Sequence, residues 1–474
     1  MTFSDRLLTI NNLPSAILER TMNDLPNFPR VFGWAIAWMV FAGGLPVGHA
    51  PSRSAGTAAA ATPGADGSPA DDAASWQAGA ASVDITPKEL MWMAGYAARK
   101  KPADGYAQNL YAKALALRSA DGGRMVFVTT DLIGVLRSVR DAVEGRVAER
   151  FGLSPHEILL NASHTHCGPE YRERPGREAE ARRYQAFLED QIVEAVGEAL
   201  RRLGPAELRW GEATAGFAAN RRGTPGGRRG PILGGPVDHA VPVLRVDSPD
   251  GNLRAVMFGY ACHNTTLSSV ADIDGEPRYE FNGDYAGYAQ EFLEQAHPDA
   301  VALFMNGCGG DQNPHPRRDM VPGVEPLEMA RHHGRTLALA VEAALNAPLR
   351  DVEGPLRSHF ADIELLRTSD PTGPYPYPVQ VVGFGDDLTL VALASEVVVD
   401  YSLRIKRELD GDSSVDATAP AVWVAGYSNG YFGYVPSARV ADEGGYEAGP
   451  WDRSTEERII ANVIRFDRQL RAAP

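Results

Sequence analysis

Only three cysteines, Cys167, Cys262 and Cys308, occur in 474 residues. No disulfide framework holds such a chain together, and a single bridge is the most it can form. Each cysteine lies within a few residues of a polar motif described below, so all three are expected in one interior as small buried side chains. Positive charge is also short: 46 Lys and Arg stand against 61 Asp and Glu, a net charge of -15. That field repels a phosphate backbone and argues against a nucleic-acid partner. The glycine-rich stretch 306–314 lacks the lysine and the spacing of a P-loop, which makes nucleotide binding a poor fit. The apolar stretch 31–47 has a centre too short for a comfortable membrane span.

What is present describes a folded, soluble chain. Apolar residues make up 44% and charged residues 23%, and 48 Gly with 34 Pro imply many turns. The length has room for about two or three average domains or one large α/β unit. Residues 1–50 read as a signal peptide or an N-terminal anchor: Gly48-His49-Ala50 offers small residues for cleavage, while Glu19 and Asp24 in a long leading segment keep an uncleaved anchor or a misplaced start open. Export, periplasmic or secreted, is the preferred reading. Residues 51–75, almost entirely Ala, Gly, Pro, Ser, Thr and Asp, are a linker, and a globular part occupies 76–474.

Chemistry concentrates at Ser163-His164-Thr165-His166-Cys167-Gly168-Pro169, after the apolar run Ile158-Leu159-Leu160, which reads as a buried strand. In an extended segment alternate side chains share a face, so His164 and His166 are expected to point into one cleft. Neutral imidazoles so spaced suit zinc, although two polar residues at a strand end is the plainer reading of the pair alone. Upstream, 125–131 is a strand ending in Asp131 and 138–151 a helix, a β-α-β order. Asp131 would orient a histidine or cap the helix.

Downstream, 184–203 carries a helical apolar stripe. Residues 217–236 have the composition of a mobile loop over a cleft, with four arginines and six glycines between Arg221 and Gly235. Residues 241–247 and 252–262 form a hairpin that delivers His263. Asp284 opens a short helix, either to cap it or to hold a histidine. The strand 301–305 runs into 306–314, whose backbone N–H groups are expected to approach an anion or oxyanion. His332-His333 should face solvent on the helix 325–346. Glu396 opens the helical stretch 397–409, where a carboxylate is favourable by dipole alone. The strand 422–427 enters a tyrosine-rich loop that reaches Tyr434, with Tyr446 beyond. The fold expected is α/β, a mixed β-sheet core flanked by helices in a single large catalytic domain.

In this order the motifs resemble the neutral/alkaline, non-lysosomal ceramidase family, zinc-dependent amidases that release a fatty acid from a sphingoid base. His164-Thr165-His166-Cys167-Gly168-Pro169 is similar to the family's His-Thr-His-Ser-Gly-Pro signature. The resemblance implies one Zn2+ per chain held by His164, His263, Glu396 and Tyr434. It implies that His166 lies over the scissile amide, that Tyr446 faces its carbonyl and that Arg221 lies near the head group. Asp284 or Asp131 would fix a histidine tautomer. A lipid or other small-molecule substrate, with transient contact at a membrane surface, follows from the same resemblance. A four-ligand site containing tyrosine could also be closed and structural.

Two departures stand out. The family's Gly-Asp-x-Ser-Pro-Asn segment supplies a serine assigned as nucleophile, and here Gly310-Asp311-Gln312-Asn313-Pro314-His315 has Asn313 at that position. Attack by zinc-activated water, or a different substrate, is the consequence. The family also carries a C-terminal immunoglobulin-like domain, which is not expected in this chain. Hydrolysis of an ester, lactone or N-acetylated sugar, or a non-catalytic secreted binding protein on the same scaffold, are the competing readings.

Overall fold

A computed structural model of the protein describes residues 76–223, 232, 234–267, 278–317, 321, 323–368, 373–409 and 420–472. The leader and linker readings at 1–50 and 51–75, and part of the expected loop at 217–236, lie outside the described residues.

Two mixed sheets face each other. The larger runs in spatial order Val301–Asn306, Leu253–Tyr260, Ala240–Asp247, Gly204–Thr214, Trp76–Asp84, Tyr111–Ser119, Arg124–Thr130 and Ile158–Ala162. The smaller runs Leu356–Leu365, Tyr375–Phe384, Leu388–Leu393 and Ala421–Ala425. The helices are α1 (Arg137–Phe151), α2 (Glu178–Arg201), α3 (Asp284–Ala296), α4 (Pro326–Leu345), α5 (Asp400–Leu409), α6 (Ala438–Glu443) and α7 (Thr455–Ala472). Within the two large sheets three strand pairs are parallel: 124–130 with 158–162, 253–260 with 301–306, and 388–393 with 421–425. A parallel pair needs a crossover, and α1, α3 and α5 supply one each.

Alternation along the strands sorts the core into layers. In Tyr111–Ser119, Leu115 and Leu117 join Trp76, Phe127, Phe384 and Trp423 between the sheets, while Ala112, Ala114 and Ala116 face α1 and α2. Small residues on that side let α2 approach closely: a Cβ on Gly79 would stand 2.2 Å from the Ala199 carbonyl oxygen. On the other half of the larger sheet α3 and α4 cover Val241, Val243 and Phe258, and α5 and α7 cover the outer face of the smaller sheet. Among the described residues, no helix is long and apolar enough to cross a membrane.

Several expectations are corrected here. The three cysteines are buried and free, but Cys167 belongs to the α1/α2 core, Cys308 to the α5/α7 core and Cys262 to the α3/α4 core, so they do not share one interior. His333 is buried rather than solvent-facing. It lies one turn from Met329 and Leu337 on the apolar face of α4, stacks on Phe217 at 4.7 Å and bonds the Pro316 carbonyl at 2.8 Å. Glu396 does not open a helix. It forms a two-residue strand, Glu396–Val397, paired in parallel with Tyr434–Val435, and α5 begins only at Asp400.

Candidate metal centre and active-site cleft

Strand ends from both sheets meet at one place, tied by buried amides. Asn161 Nδ2 donates to the Gly426 carbonyl at 2.8 Å and to Ser428 Oγ at 3.0 Å. Asn306 Nδ2 donates to the Ser163 carbonyl at 2.9 Å, and its backbone N–H to Asn161 Oδ1 at 3.0 Å. Just beyond these bonds the chain leaves its strands abruptly. His164, Asp284, Ser395, Tyr427 and Asn429 all have positive φ, between 48° and 64°. Each costs an L residue roughly 1 kcal/mol or more, and all lie in or beside the segments that carry the site. His164 and His166 therefore converge through a left-handed turn after Ala162, not as alternate residues of an extended strand as expected.

The convergence is tight. His164 Nε2 lies 3.2 Å from His166 Nε2 and 3.4 Å from Glu396 Oε2, and His263 Nε2 lies 3.2 Å from the same Oε2. The donor atoms of His164, His166 and His263 all lie within 4.8 Å of one another. A tetrahedron of zinc–nitrogen and zinc–oxygen bonds about 2.0 Å long has edges of roughly 3.3 Å, which the two imidazole–Glu396 separations of 3.4 and 3.2 Å fit. The protons also fit. His164 Nδ1 bonds the Ile133 carbonyl at 2.6 Å and His263 Nδ1 the Gly309 carbonyl at 2.5 Å, which puts each N–H outward and turns each Nε2 lone pair to the centre.

Electrostatics supports the same donor set. Burial, aided by the Arg221 charge, lowers the pKa of His263 to about 3. Burial and the neighbouring imidazoles hold His166 well below its ordinary value. Burial raises Glu396, but His164 and His263 outweigh it and hold the carboxyl well below the usual range. Neutral imidazoles at His166 and His263 beside an ionised carboxylate are what a divalent cation takes.

Glu396 Oε1 accepts from Tyr431 Oη at 3.1 Å, a contact that sequence reasoning missed although the tyrosine-rich loop was its signal. Tyr434 stacks parallel to His263 at 6.2 Å, and its Oη accepts from Arg221 Nη2 at 3.0 Å. Arg221 is not on a mobile loop. It is 6% exposed, with Nε on Glu447 at 2.9 Å and Nη1 on Asn313 Oδ1 at 3.2 Å. Glu447, the buried carboxylate that also holds Arg222 at 2.6 Å, was not singled out by the sequence. Tyr446 packs on Tyr434 at 5.0 Å and is 54% exposed.

Asp284 and Asp131 do not orient these histidines; the Ile133 and Gly309 carbonyls do. Asp284 accepts from the backbone N–H groups of Thr266, Leu267 and Tyr285, fixing the segment after His263. Asp131 accepts from the Tyr111 N–H at 3.0 Å. Nor do the glycine N–H groups of the turn at Gly309 and Gly310 stand free as an oxyanion cradle. Gly309 donates to Gly307, Gly310 to Val397 and Gln312 to Gly309. Its glycines allow close approach instead: a Cβ on Gly309 would lie 2.8 Å from the Cys262 carbonyl carbon, and one on Gly310 2.6 Å from the Glu396 backbone carbonyl oxygen.

A cleft of 510 Å³ opens onto this cluster, lined by His166, Glu396 and Tyr434 together with Tyr446, Tyr96 and Trp92. His164 and His263 lie behind His166. The His166 ring is held by Tyr96 at 4.7 Å and by Gly95, where a Cβ would strike it at 2.4 Å, and His166 Nδ1 has no hydrogen-bond partner among the described residues.

Residues 76–317 match the family model for neutral/alkaline non-lysosomal ceramidase, N-terminal. Neutral ceramidase A of Dictyostelium discoideum is 26% identical over 271 residues, covering 52% of this chain and 37% of that protein. Neutral ceramidase B of the same organism is 24% identical over 275 residues, covering 51% and 36%. The match thus spans little more than a third of each curated relative. A crystal structure of neutral ceramidase from Pseudomonas aeruginosa superposes with a TM-score of 0.70 at 21% identity, covering 84% of this chain and 75% of that one. A ceramidase complexed with C2 does so with a TM-score of 0.71 at 20% identity, covering 85% and 76%. The structural likeness carries the fold, the α/β architecture expected from the sequence, and the matched half of the sequence carries the lineage: the chain belongs to the neutral/alkaline non-lysosomal ceramidase family.

Proposed function

We propose that the cleft hydrolyses the amide bond of an N-acyl compound, a ceramide-like lipid in the first instance, with one zinc ion held by His164, His263, Glu396 and Tyr434. The observation that carries this reading is the meeting of two outward-protonated imidazoles and one carboxylate at 3.2–3.4 Å. Zinc bound there supplies Lewis acidity towards a carbonyl and lowers the pKa of a water to about 7. His166, neutral and on the cleft side, presents an N–H to the carbonyl oxygen as negative charge develops on it, a role worth roughly 3 kcal/mol. Tyr446 offers a second hydroxyl donor from the mouth. Arg221, already bonded to Glu447, Asn313 and Tyr434, positions Tyr434 rather than reaching outward. Water adds to the carbonyl carbon, the C–N bond breaks, and the departing amine takes up a proton.

Asn313 favours a second reading. Its side chain accepts from Arg221 and has no hydroxyl to offer as a nucleophile, so an ester, lactone or N-acetylated sugar is the alternative substrate. A panel of long-chain ceramide, short N-acyl amides and matched esters separates the two. Amide turnover that is lost on chelation and restored by zinc is expected; zinc-loaded protein that turns over no amide would contradict the first reading. The apolar stretch 31–47 supports export, which fractionation of the expressed full chain tests.

A further inference from the structure

The outer wall of the cleft carries more positive charge than its own carboxylates can neutralise. Arg99, Arg172, Arg174 and Arg177 line it, against Glu170 and Glu396, in a chain whose net charge is -15. Glu396 belongs to the histidine cluster at the floor. Glu170 serves two guanidiniums at once: Arg172 meets both of its oxygens at 2.7 and 2.6 Å, and Arg174 Nη2 approaches at 3.2 Å. Burial raises the Glu170 pKa, but the Arg172 bonds and charge outweigh it and keep the carboxylate ionised. Arg99 donates to the carbonyls of Ala94 and His166, and so is held without any carboxylate.

Arg177, like Arg99, forms no ion pair among the described residues. Its guanidinium lies 3.6 Å from the centroid of the Trp92 ring, a stack that fixes its plane and leaves its N–H edge for a ligand. A planar guanidinium held this way takes a carboxylate or phosphate in paired, charge-assisted hydrogen bonds. A divalent cation at the floor would add to the same positive field. A neutral substrate would leave this charge in the cleft unanswered.

We propose that the amide cleaved here carries an anionic group, a carboxylate or a phosphate, seated on Arg177 with Arg174 beside it. N-acyl amino acids are the simplest members of the class, and lipids with a phosphate on the amine portion are the other source of the same chemistry. The inference rests on the proposed amide hydrolysis for its substrate class, but its first test does not need catalysis. Calorimetric binding to the metal-stripped full chain compares N-octanoylglycine and N-octanoyl-2-aminoethyl phosphate with N-octanoylethanolamine, which has the same acyl chain and no charge. About tenfold tighter binding of at least one anion is expected, shrinking as salt is raised and in Arg177→Gln. The tighter anion identifies the source.

Arg174→Gln, at a half-exposed position, gives the same reading if Arg177→Gln fails to fold. Turnover by the zinc-loaded enzyme should show the same preference in kcat/KM. Equal affinity for charged and neutral amides, or a preference untouched in both variants, overturns the inference while amide hydrolysis stands. Anion-selective binding with no hydrolysis of any amide supports the anion seat on Arg177 and contradicts the proposed activity.

Discussion

At and behind the floor of the cleft His164, His263, Glu396 and Arg221 are each less than a tenth exposed, and each is bonded to a neighbour on another element. At the mouth Tyr446 is 54% exposed, and Arg174 has 48% of its side chain in solvent. The floor is over-determined because it must hold unfavourable backbone angles and unlike donors in one place. The mouth is more open: Tyr446 packs on Tyr434 and Arg177 on Trp92 with solvent close by. On the proposed function, the reaction class rests on the buried layer and the choice of substrate on the more exposed residues at the mouth.

Glu447→Ala attacks the floor from behind, leaving Arg221 and Arg222 buried without their shared carboxylate. A loss of about 3–5 kcal/mol in chemical denaturation is expected; a loss under about 1 kcal/mol would show that the floor is not over-determined. His166→Ala should leave stability and metal content near wild type but lower kcat by roughly 10²–10³, measured in the zinc-loaded enzyme. A drop in metal content instead would move His166 from the substrate side to the metal. His333, outside both regions, separates global pH effects from those of the site. Burial pushes its pKa down to about 4, despite the Pro316 carbonyl, so between about pH 6.5 and 4 the unfolded chain binds the proton that the folded chain refuses. Stability should fall by up to about 3 kcal/mol as pH drops through that window, and His333→Phe should flatten the fall seen in thermal melts. The mildest change is at the mouth: Tyr446→Phe should alter stability by no more than about 0.5 kcal/mol while reducing kcat, a split that a buried structural tyrosine would not give.

The same division governs what could be read from the chain. Runs of β-branched and aromatic residues at 125–130, 241–246 and 301–305 announced their strands, and the hairpin at Ser248-Pro249-Asp250-Gly251 announced its turn. Tyr111–Ser119 did not, because its helix-facing positions are alanines selected for close approach by α2, and alanine carries little strand signal. The positions of His164, His166, His263 and Glu396 were legible from motif order, but the Glu396 environment was not. A two-residue strand paired with Tyr434 is created by tertiary contact and leaves no local pattern. The arginines at 172–177 were not singled out by the sequence, and only the fold turns them onto a cleft.

Metal analysis of the purified wild type beside His263→Ala tests the central claim most directly. The account predicts about one zinc per chain in the wild type and less than about a tenth of that in the variant, since a zinc site that loses an imidazole ligand loses most of its affinity. Stoichiometric zinc retained in His263→Ala, or none bound by the wild type, would contradict it.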